Sequence, residues 1–560
     1  MAEHALLSGI GVSAGVAVGP LVVVSAPPSP PADEAPTTDA VAAATTVRDT
    51  LAAVAAGLTA RAVTADAHAK PILEAGAMMA ADPGLMMGIE GQLQKGKGLT
   101  NAVAAAVEEY CAMFESLGGY MAERVTDLRD VRDRTVARLL GQAEPGVPTL
   151  EVPSILAALD LAPAETATLK AETCLGIITA QGGPTSHTAI LAAQLGIPAI
   201  VQATGILDIP AGTEVALDGG VGEIIINPTA AEAVQLAERK ARRERALASG
   251  SGKGMTKDGH PIALLANIGT ADDARKAAAK DVEGVGLFRS EFLFLDRDTA
   301  PTLEEQTQTY IEVFEAFGDR RVVIRTLDAG ADKPLAFADL GHEENPALGR
   351  RGIRLGAIRT DLLDTQLEAL AAAYRATGAD VRVMAPMIAT RQEARWFAEK
   401  VRAVGLPKVG VMIEVPAAAL RSFDVLSEVD FASLGTNDLG QYTMAADRMQ
   451  GELATLLDPW QPALLDIIYY ACDGGAKTGH PVGVCGESGG DPVMALVLAG
   501  LGVASLSMAP SKVPAVRTAL ALHDLAQCQQ MAAAARASVG PAEARQIVLD
   551  MADPILKDLL

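Results

Sequence analysis

The chain has 560 residues, of which 49% are hydrophobic and 3% aromatic, and its formal net charge is −23. This length is enough for about three or four domains of roughly 150 residues each. The acidic balance argues against nucleic acid as a partner, and no apolar run is long and charge-free enough to predict a membrane span. Five scattered cysteines without a C-x-x-C pair predict neither a zinc site nor a disulfide framework, which is typical of a cytoplasmic protein.

The first quarter of the chain changes from a β-like to a helical pattern. Residues 5–25 alternate apolar side chains with glycine, which predicts a short β element. Residues 26–145 carry no strand signal, and apolar side chains such as Val47, Leu51 and Val54 recur at three- and four-residue spacing. Strand-like runs return from about residue 146. We therefore predict a helical subdomain that is inserted into an α/β domain.

That α/β domain comprises residues 1–25 and 146–228, and its most informative stretch is 182–191, with the sequence GGPTSHTAIL. His187 stands there between a strand-like run and the start of a helix, where backbone N–H groups and the helix dipole favour an anion. The two glycines allow a sharp turn, and histidine is a nucleophile that is partly neutral at physiological pH. Two interpretations stay open: a histidine that carries a phosphoryl group, or a capped core histidine or lone metal ligand.

The remainder of the chain predicts a linker and a barrel. The charged run within 229–256 predicts a solvated linker helix. From residue 257 to 560, eight strand candidates alternate with helical stretches, which predicts a (β/α)₈ barrel with its chemistry at the carboxyl ends of the strands. The strand candidates are residues 262–267, 284–288, 322–328, 382–387, 409–414, 431–435, 482–485 and 505–508.

Charged and reactive side chains follow these strands. Arg289 and Arg325 end the second and third strands, and guanidinium groups of this kind bind phosphate or carboxylate bidentately. Glu414 ends the fifth strand and Asp438 follows the sixth, and such carboxylates suit Mg²⁺. Cys485, at the end of the seventh strand, could transfer a proton. Any one arginine is most simply interpreted as a surface ion pair, but together these residues predict an anion and metal site.

These motifs resemble Enzyme I of the bacterial sugar phosphotransferase system, the phosphoenolpyruvate–protein phosphotransferase family, nearly from end to end. The most specific segments are residues 182–191, 284–294, 344–346 and 430–448. The resemblance implies a swivelling phosphohistidine α/β domain, a helical subdomain that binds the phosphocarrier protein HPr, and a barrel that binds phosphoenolpyruvate and forms a homodimer.

The resemblance also implies a reaction. The phosphoryl group of phosphoenolpyruvate, bound with Mg²⁺, would pass to Nε2 of His187 and then to a histidine of HPr, with release of pyruvate. Cys485 would protonate C3 of the enolate, Thr166 would orient His187, and Glu414 and Asp438 would bind Mg²⁺. The implied substrate ligands are Arg289, Arg325, Asn437, Asp438, Arg448, Lys333 and Arg351. The implied contacts to HPr are Met78, Met79, Asp82 and Leu85.

Two positions depart from the family pattern, because Pro184 and Ala193 stand where the family commonly has arginine. An arginine near Ala193 could neutralise a phosphoryl group on the histidine. This departure motivates one alternative hypothesis, a regulatory paralogue that senses phosphate. A second alternative, a pyruvate phosphate dikinase or phosphoenolpyruvate synthase, needs a nucleotide-grasping domain, and the sequence has no glycine-rich nucleotide loop.

Overall fold

The chain divides into two units, Met1–Lys240 and Ala241–Leu560, each with its own sheet and core. A computed structural model provides the structure. It describes residues 4–24, 28–64, 69–117, 124–142, 144–148, 150, 152–161, 169, 172–183, 187–248, 250–295, 297–330, 335–338, 341, 343–448 and 450–559.

The first unit contains an eight-stranded sheet with the strand order β1-β8-β7-β3-β4-β5-β6-β2. Its strands are β1 Ala5–Ser8, β2 Ile10–Ser13, β3 Val16–Val23, β4 Ser154–Ala158, β5 Cys174–Thr179, β6 Ala199–Val201, β7 Glu214–Asp218 and β8 Glu223–Ile226. Strands β3 to β6 run parallel and the other neighbours pair antiparallel. Ile155, Ile178 and Ile200 are buried in its core.

The predicted β element at residues 5–25 consists of three strands, and the first two lie at opposite edges of the sheet. Only Gly9 separates β1 from β2, and its N–H donates to the carbonyl of Gly222 over 2.9 Å. Gly222 has a φ of 75°, and a Cβ atom there would lie 2.2 Å from the carbonyl oxygen of Gly9. Glycine is therefore required where these two backbone segments meet.

A bundle of helices is inserted between β3 and β4. Its helices are α1 Ala40–Thr64, α2 Ala69–Ala80, α3 Pro83–Gln94, α4 Leu99–Leu117 and α5 Val125–Leu139. The repeating apolar residues that predicted helix, including Val47, Leu51 and Val54, are buried in the bundle core. By length and composition α1 is apolar enough to cross a membrane. This is weak evidence for a membrane span, because apolar residues of α1 pack in the bundle core.

Two further helices complete the first unit and lead out of it. Helix α6, His187–Leu195, connects β5 to β6. Ala192 within it is buried against Ile177 and Ala199 of the sheet. The charged segment after β8 forms α7, Ala230–Ala248, and Arg239 in this helix pairs with Asp218 over 2.6 Å.

The second unit is a closed barrel of eight parallel strands, which confirms the predicted fold class. Its strands are β9 Ala263–Ile268, β10 Gly284–Arg289, β11 Arg321–Arg325, β12 Val381–Ala385, β13 Lys408–Ile413, β14 Phe431–Leu434, β15 Val482–Val484 and β16 Ser505–Met508. Strand β16 pairs with β9 and closes the ring. The third predicted strand, 322–328, ends too late. Pairing stops at Arg325, and Asp328 leaves the sheet because its carboxylate binds arginines at the rim.

Helices cover the outside of the barrel. They are α8 Ala271–Ala278, α9 Leu303–Phe317, α10 Ile353–Ile358, α11 Thr360–Thr377, α12 Arg391–Ala403, α13 Pro416–Leu420, α14 Ser422–Leu426, α15 Thr436–Met444, α16 Pro462–Thr478, α17 Pro492–Gly500, α18 Val513–Leu522, α19 Leu525–Ala537, α20 Pro541–Met551 and α21 Leu556–Leu559. Thr270, Thr302 and Thr390 each begin a helix with a capping box, in which an acidic residue three positions later bonds back to the threonine N–H. These local signals fix where the helices after β9, β10 and β12 start.

Candidate active site

A cavity of about 210 Å³ opens at the carboxyl ends of the barrel strands. The structure brings most of the predicted site residues together in its wall. Those that line it are Arg289, Arg325, Arg351, Glu414, Asn437, Asp438, Arg448 and Cys485. Lys333, the remaining predicted ligand, lies outside the described residues.

The strands themselves place these side chains. Arg289 and Arg325 are the last residues of β10 and β11, and Glu414 and Cys485 directly follow β13 and β15. Because all eight strands are parallel, their carboxyl ends meet at one rim. Gly435 leaves room for the site, since a Cβ atom there would lie 2.9 Å from Oε2 of Glu414.

The arginines of the cavity differ in their partners. Arg325 is buried, and it donates to Oε1 of Glu291 over 2.6 Å and pairs with Asp328 over 2.9 Å. Arg289 is half-buried, and its guanidinium makes no hydrogen bond or ion pair with any residue that the structure describes. Within the described part of the chain, the wall therefore combines Arg289, which lacks a hydrogen-bonding or ion-pair partner there, with arginines that are paired to carboxylates, and this combination suits the binding of an anion.

Arg351 and Arg448 approach the same carboxylate from two sides. Arg351 donates from Nη1 to Oδ1 of Asp438 over 3.0 Å, and its Nη2 binds both oxygens of Asp328. Arg448 lies 3.7 Å from Oδ2 of Asp438, and its backbone N–H donates to the side chain of Gln441. The predicted assignment of Arg351 and Arg448 to one pocket thus has a geometric basis.

Glu291 and Asp328 were not predicted as site residues, although both are buried in contact with the predicted arginines. Each is a carboxylate two or three positions beyond an arginine that ends a strand. The spacing is a usable signal for Asp328, which pairs with Arg325 three positions before it, but not for Glu291, which pairs with Arg325 of the next strand.

Glu414 is fully buried. Burial, reinforced by the nearby carboxylates of Asp328 and Asp438, raises the pKa of Glu414. Its Oε1 accepts the backbone N–H of Met387 over 2.5 Å, whereas its Oε2 has no hydrogen-bond partner within the described part of the chain. Met387 was not predicted as a site residue. Its φ of 58° is a strained backbone value for a non-glycine residue, and its backbone N–H is the group that binds Glu414.

The unpartnered oxygen of Glu414 and the neighbouring Asp438 fit a divalent cation. Among the described residues, no group of three or more His, Cys, Asp or Glu side chains could hold a metal alone. Magnesium commonly binds through one or two carboxylates and completes its shell with water and substrate oxygens. The donor set therefore suits a hard cation that is shared with a bound anion.

Cys485 has the properties of a proton donor. Its side chain is almost fully buried, and its Sγ lies 3.5 Å from the carbonyl of Leu434. Burial raises the pKa of the Cys485 thiol, so that the thiol stays protonated at neutral pH. Asn267 donates to the carbonyl of Cys485 and accepts from Ser507, which fixes the backbone at this position.

The predicted histidine segment lies in the first unit, where His187 is the first residue of α6. The hydroxyl of Thr188 donates to Asp160 over 3.2 Å and thereby ties the start of α6 to the loop after β4. Gly182 takes a φ of 92°, and its carbonyl accepts from the side chain of Gln202. Thr166, Pro184 and the side chains of His187 and Ala193 lie outside the described residues.

Three family descriptions match the chain in succession. They are PEP-utilising enzyme, N-terminal, at residues 8–124; PEP-utilising enzyme, mobile domain, at residues 150–222; and PEP-utilising enzyme, PEP-binding domain, at residues 243–525. A phosphoenolpyruvate-protein phosphotransferase of Streptomyces coelicolor is 50% identical over 542 residues, which cover 96% of this chain and 98% of that protein. The chain belongs to the phosphoenolpyruvate–protein phosphotransferase family.

More distant relatives agree with this family membership and with the resemblance of the motifs. A phosphoenolpyruvate-protein phosphotransferase of Haloferax volcanii is 41% identical over 468 residues, which cover 80% of this chain and 81% of that protein. A multiphosphoryl transfer protein of Xanthomonas campestris pv. campestris is 44% identical over 454 residues, which cover 78% of this chain and 54% of that protein. The chain is an enzyme of this phosphotransferase family.

The predicted partner contacts in the helical bundle of this phosphotransferase separate into exposed and structural residues. Met78 is 70% exposed, and Met79 is half-buried against the bundle core. Asp82 caps α3 by accepting the N–H of Leu85 over 3.0 Å. Leu85 is only 1% exposed, so the prediction that it contacts a partner is wrong. Its apolar side chain lies in the bundle core because it follows the helix cap on the inward face of α3.

Proposed function

We propose that the chain is the general phosphotransferase of a sugar phosphotransferase system. It takes the phosphoryl group of phosphoenolpyruvate onto Nε2 of His187, releases pyruvate, and passes the phosphoryl group to a histidine of the phosphocarrier protein HPr. It acts in the cytoplasm as a homodimer through the barrel unit. The single observation that carries the proposal is the convergence of four arginines, two metal-type carboxylates and a buried thiol in one barrel cavity.

In this proposal the cavity residues divide the work of binding. Arg289, which has no internal partner among the described residues, takes the phosphoryl group together with Arg325. Asn437 is exposed to the cavity and can donate to the same oxygens. Phosphoryl transfer depends mainly on positioning and on neutralising charge. Such donors therefore lower the activation barrier for transfer of the phosphoryl group out of the cavity.

Glu414 and Asp438 are the carboxylates that would hold Mg²⁺. Bound there, Mg²⁺ supplies charge neutralisation and orientation for the oxygens of phosphoenolpyruvate. Nε2 of His187 attacks phosphorus, the P–O bond to the enol oxygen breaks, and the enolate remains in the cavity. The thiol of Cys485 then gives its proton to C3 of the enolate, which yields pyruvate and leaves a thiolate to be reprotonated from solvent.

Features of the first unit support the proposal that HPr accepts the phosphoryl group from His187. The helical bundle exposes Met78 on its surface, and exposed methionines are common at surfaces that bind protein partners. All five cysteines lie among the described residues, where they are buried and form no disulfide, which agrees with a reducing compartment. These features support HPr as the acceptor and the cytoplasm as the location.

The test uses the purified full chain with Mg²⁺ and phosphoenolpyruvate labelled on the phosphoryl group. We expect a label on the protein that is labile in acid and stable in alkali, as a phosphohistidine is, and that transfers to purified HPr. His187→Ala should abolish the label, whereas the matched control His260→Ala, at an exposed position of the barrel unit, should retain it.

Label that persists in His187→Ala would show that another residue carries the phosphoryl group. An unlabelled wild-type chain would instead support the regulatory paralogue that senses phosphate. A labelled chain that does not pass its label to HPr would retain the first half of the proposal and exclude HPr as the acceptor.

A further inference from the structure

Asp438, one of the two carboxylates assigned to the metal, is already occupied by an arginine. Its Oδ1 accepts Nη1 of Arg351 over 3.0 Å, and both residues are buried, at 7% and 4% exposure. Glu414, the other carboxylate, has an oxygen with no hydrogen-bond partner in the described part of the chain. The cation site is therefore half open and half filled by a guanidinium.

We propose that Arg351 holds the place of the metal on Asp438, and that the arrival of the cation releases Nη1 of Arg351 toward the phosphoryl group. This inference rests on the proposed function, because it concerns the order in which that same cavity takes up its metal and its substrate. Arg351 is thereby a positioning residue for the metal as well as a ligand of the substrate.

The geometry favours displacement over sharing. A divalent cation between Glu414 and Asp438 would bring its charge close to the Arg351 guanidinium, and like charges at such a distance repel strongly in a buried site. The carboxylate of Asp438 also lies 3.7 Å from Arg448, so its second oxygen faces another cation. Binding a metal here thus competes with an existing buried ion pair.

Displacement would free only one end of the guanidinium. Nη2 of Arg351 is held by both oxygens of Asp328, at 3.1 and 3.3 Å. Nη1 also lies 3.5 Å from the hydroxyl of Tyr442, one helical turn beyond Asp438 on α15. Arg351 would therefore stay in the cavity wall and turn about its bond to Asp328, with Nη1 available to a phosphoryl oxygen.

The backbone around Arg351 is fitted to this position. Gly330 has a φ of 106°, and a Cβ atom there would lie 2.9 Å from Cβ of Arg351. Only glycine allows the segment after β11 to pass this close. The guanidinium consequently reaches both Asp328, after β11, and Asp438, after β14.

A linkage between metal and substrate follows. Without substrate the metal must displace Arg351 from Asp438, and without metal the substrate must do the same to gain Nη1. Each ligand therefore removes a competitor of the other, and the coupling must be reciprocal. The expected signature is weak binding of metal alone and tighter binding of metal in the presence of phosphoenolpyruvate.

The experiment measures binding of Mn²⁺, a paramagnetic substitute for Mg²⁺, to the full chain by electron paramagnetic resonance. Without phosphoenolpyruvate, Arg351→Met should tighten Mn²⁺ binding by roughly tenfold or more, since a hydrogen bond to a charged group no longer has to be broken. The matched control Arg289→Met removes an equal charge from the same cavity but no contact to Asp438, and it should tighten binding by less than about threefold. The factor by which phosphoenolpyruvate tightens Mn²⁺ binding should fall in Arg351→Met only.

Mn²⁺ binding that is unchanged in Arg351→Met, or tightened no more than in Arg289→Met, overturns the proposal. Because Arg351→Met leaves Asp328 with one partner fewer, Arg351→Lys serves as a second variant. A lysine cannot bridge two carboxylates as a guanidinium does. We therefore expect Arg351→Lys to bind Mn²⁺ with an affinity between those of the wild type and Arg351→Met. An affinity equal to that of the wild type contradicts the proposal that Arg351 occupies Asp438 in place of the metal. Labelling of His187 in the wild type is scored separately, so that failure of the phosphotransfer and failure of the linkage give different results.

Discussion

The barrel cavity and the start of helix α6 are held in place by different kinds of contact. In the cavity, Arg325 and Arg351 share Asp328, and Glu414 is a buried carboxylate whose pKa is raised by burial and by its acidic neighbours. At the start of α6, the helix has neither an acidic residue in its first turn nor a basic residue in its last. The hydroxyl of Thr188 contacts both Asp160 and the carbonyl of Leu161 and thereby helps to anchor the start of the helix.

This difference matches two different tasks. The cavity that we propose to break a P–O bond gains from charges that are in place before that bond breaks, because no reorganisation is then needed in the chemical step. The second proposed task, carrying a phosphoryl group on His187, needs the start of α6 to be held in place, and the hydroxyl of Thr188 contributes to this. The first site is assembled from many elements, whereas for the second the structure describes the start of α6 and the contacts of Thr188.

The largest expected effect tests whether the cavity holds two kinds of arginine: one that has no partner among the described residues, and one that pairs with buried carboxylates. Arg289→Met and Arg325→Met should each lower kcat/KM for phosphorylation of His187 by about a hundredfold to a thousandfold, which is typical for a lost charge-stabilising donor. Only Arg325→Met should also lower the melting temperature, because it leaves the buried Glu291 and Asp328 short of a partner.

The measurements are single-turnover labelling and thermal unfolding of the two variants side by side. Arg321→Met is the control, since Arg321 begins the same strand β11 at the opposite end of the barrel. Loss of activity in Arg321→Met would break the distinction between the two ends of the barrel.

A smaller effect is expected for Cys485. Cys485→Ala should slow release of pyruvate by about a hundredfold, within the range for loss of a general acid, while the binding of phosphoenolpyruvate changes little. Rapid-quench measurement of phosphorylated protein and of pyruvate separates the two steps. Cys472→Ala is the control, because burial likewise raises the pKa of Cys472, to about 12, but this thiol lies in helix α16 away from the cavity. Equal losses of binding and of turnover in Cys485→Ala would contradict the role of proton donor.

The smallest effect is expected at the start of helix α6 in the first unit. Thr188→Val removes the hydroxyl that joins α6 to Asp160, and we expect about a fivefold to tenfold loss in the rate of labelling, in line with one lost hydrogen bond. Binding of Mn²⁺ and phosphoenolpyruvate by the barrel should be unchanged, as should the rate of Thr213→Val, an exposed hydroxyl of the same domain. A change in ligand binding by the barrel would mean that Thr188 acts through more than the position of α6.

The sequence predicted most of the barrel because its signals are local. Every strand candidate coincides with an observed strand to within a few residues, since buried parallel strands have apolar runs and threonine caps mark the helices that follow. The ends were less predictable. The apolar pattern could not show that Asp328 leaves the sheet, because the partners of Asp328 are distant in sequence.

The same reasoning explains what was missed in the site. Arg289 and Glu414 were found because they stand at strand ends, a position with a general functional meaning. The roles of Glu291, Asp328 and Met387 depend on which atoms face one another across the cavity. Leu85 was assigned to a partner surface by the family resemblance, which does not show that Leu85 follows the cap at Asp82 on the inward face of α3.

The pairing of β16 with β9 also has a consequence for how the protein is made. These strands come from the two ends of the barrel sequence, so the ring cannot close until the ribosome has released residue 508. The first unit is complete long before that point, and long-range parallel pairing is slow. A nascent chain can therefore carry a complete first unit together with barrel strands whose edges are still open, and the candidate cavity can be completed only after β16 has been made.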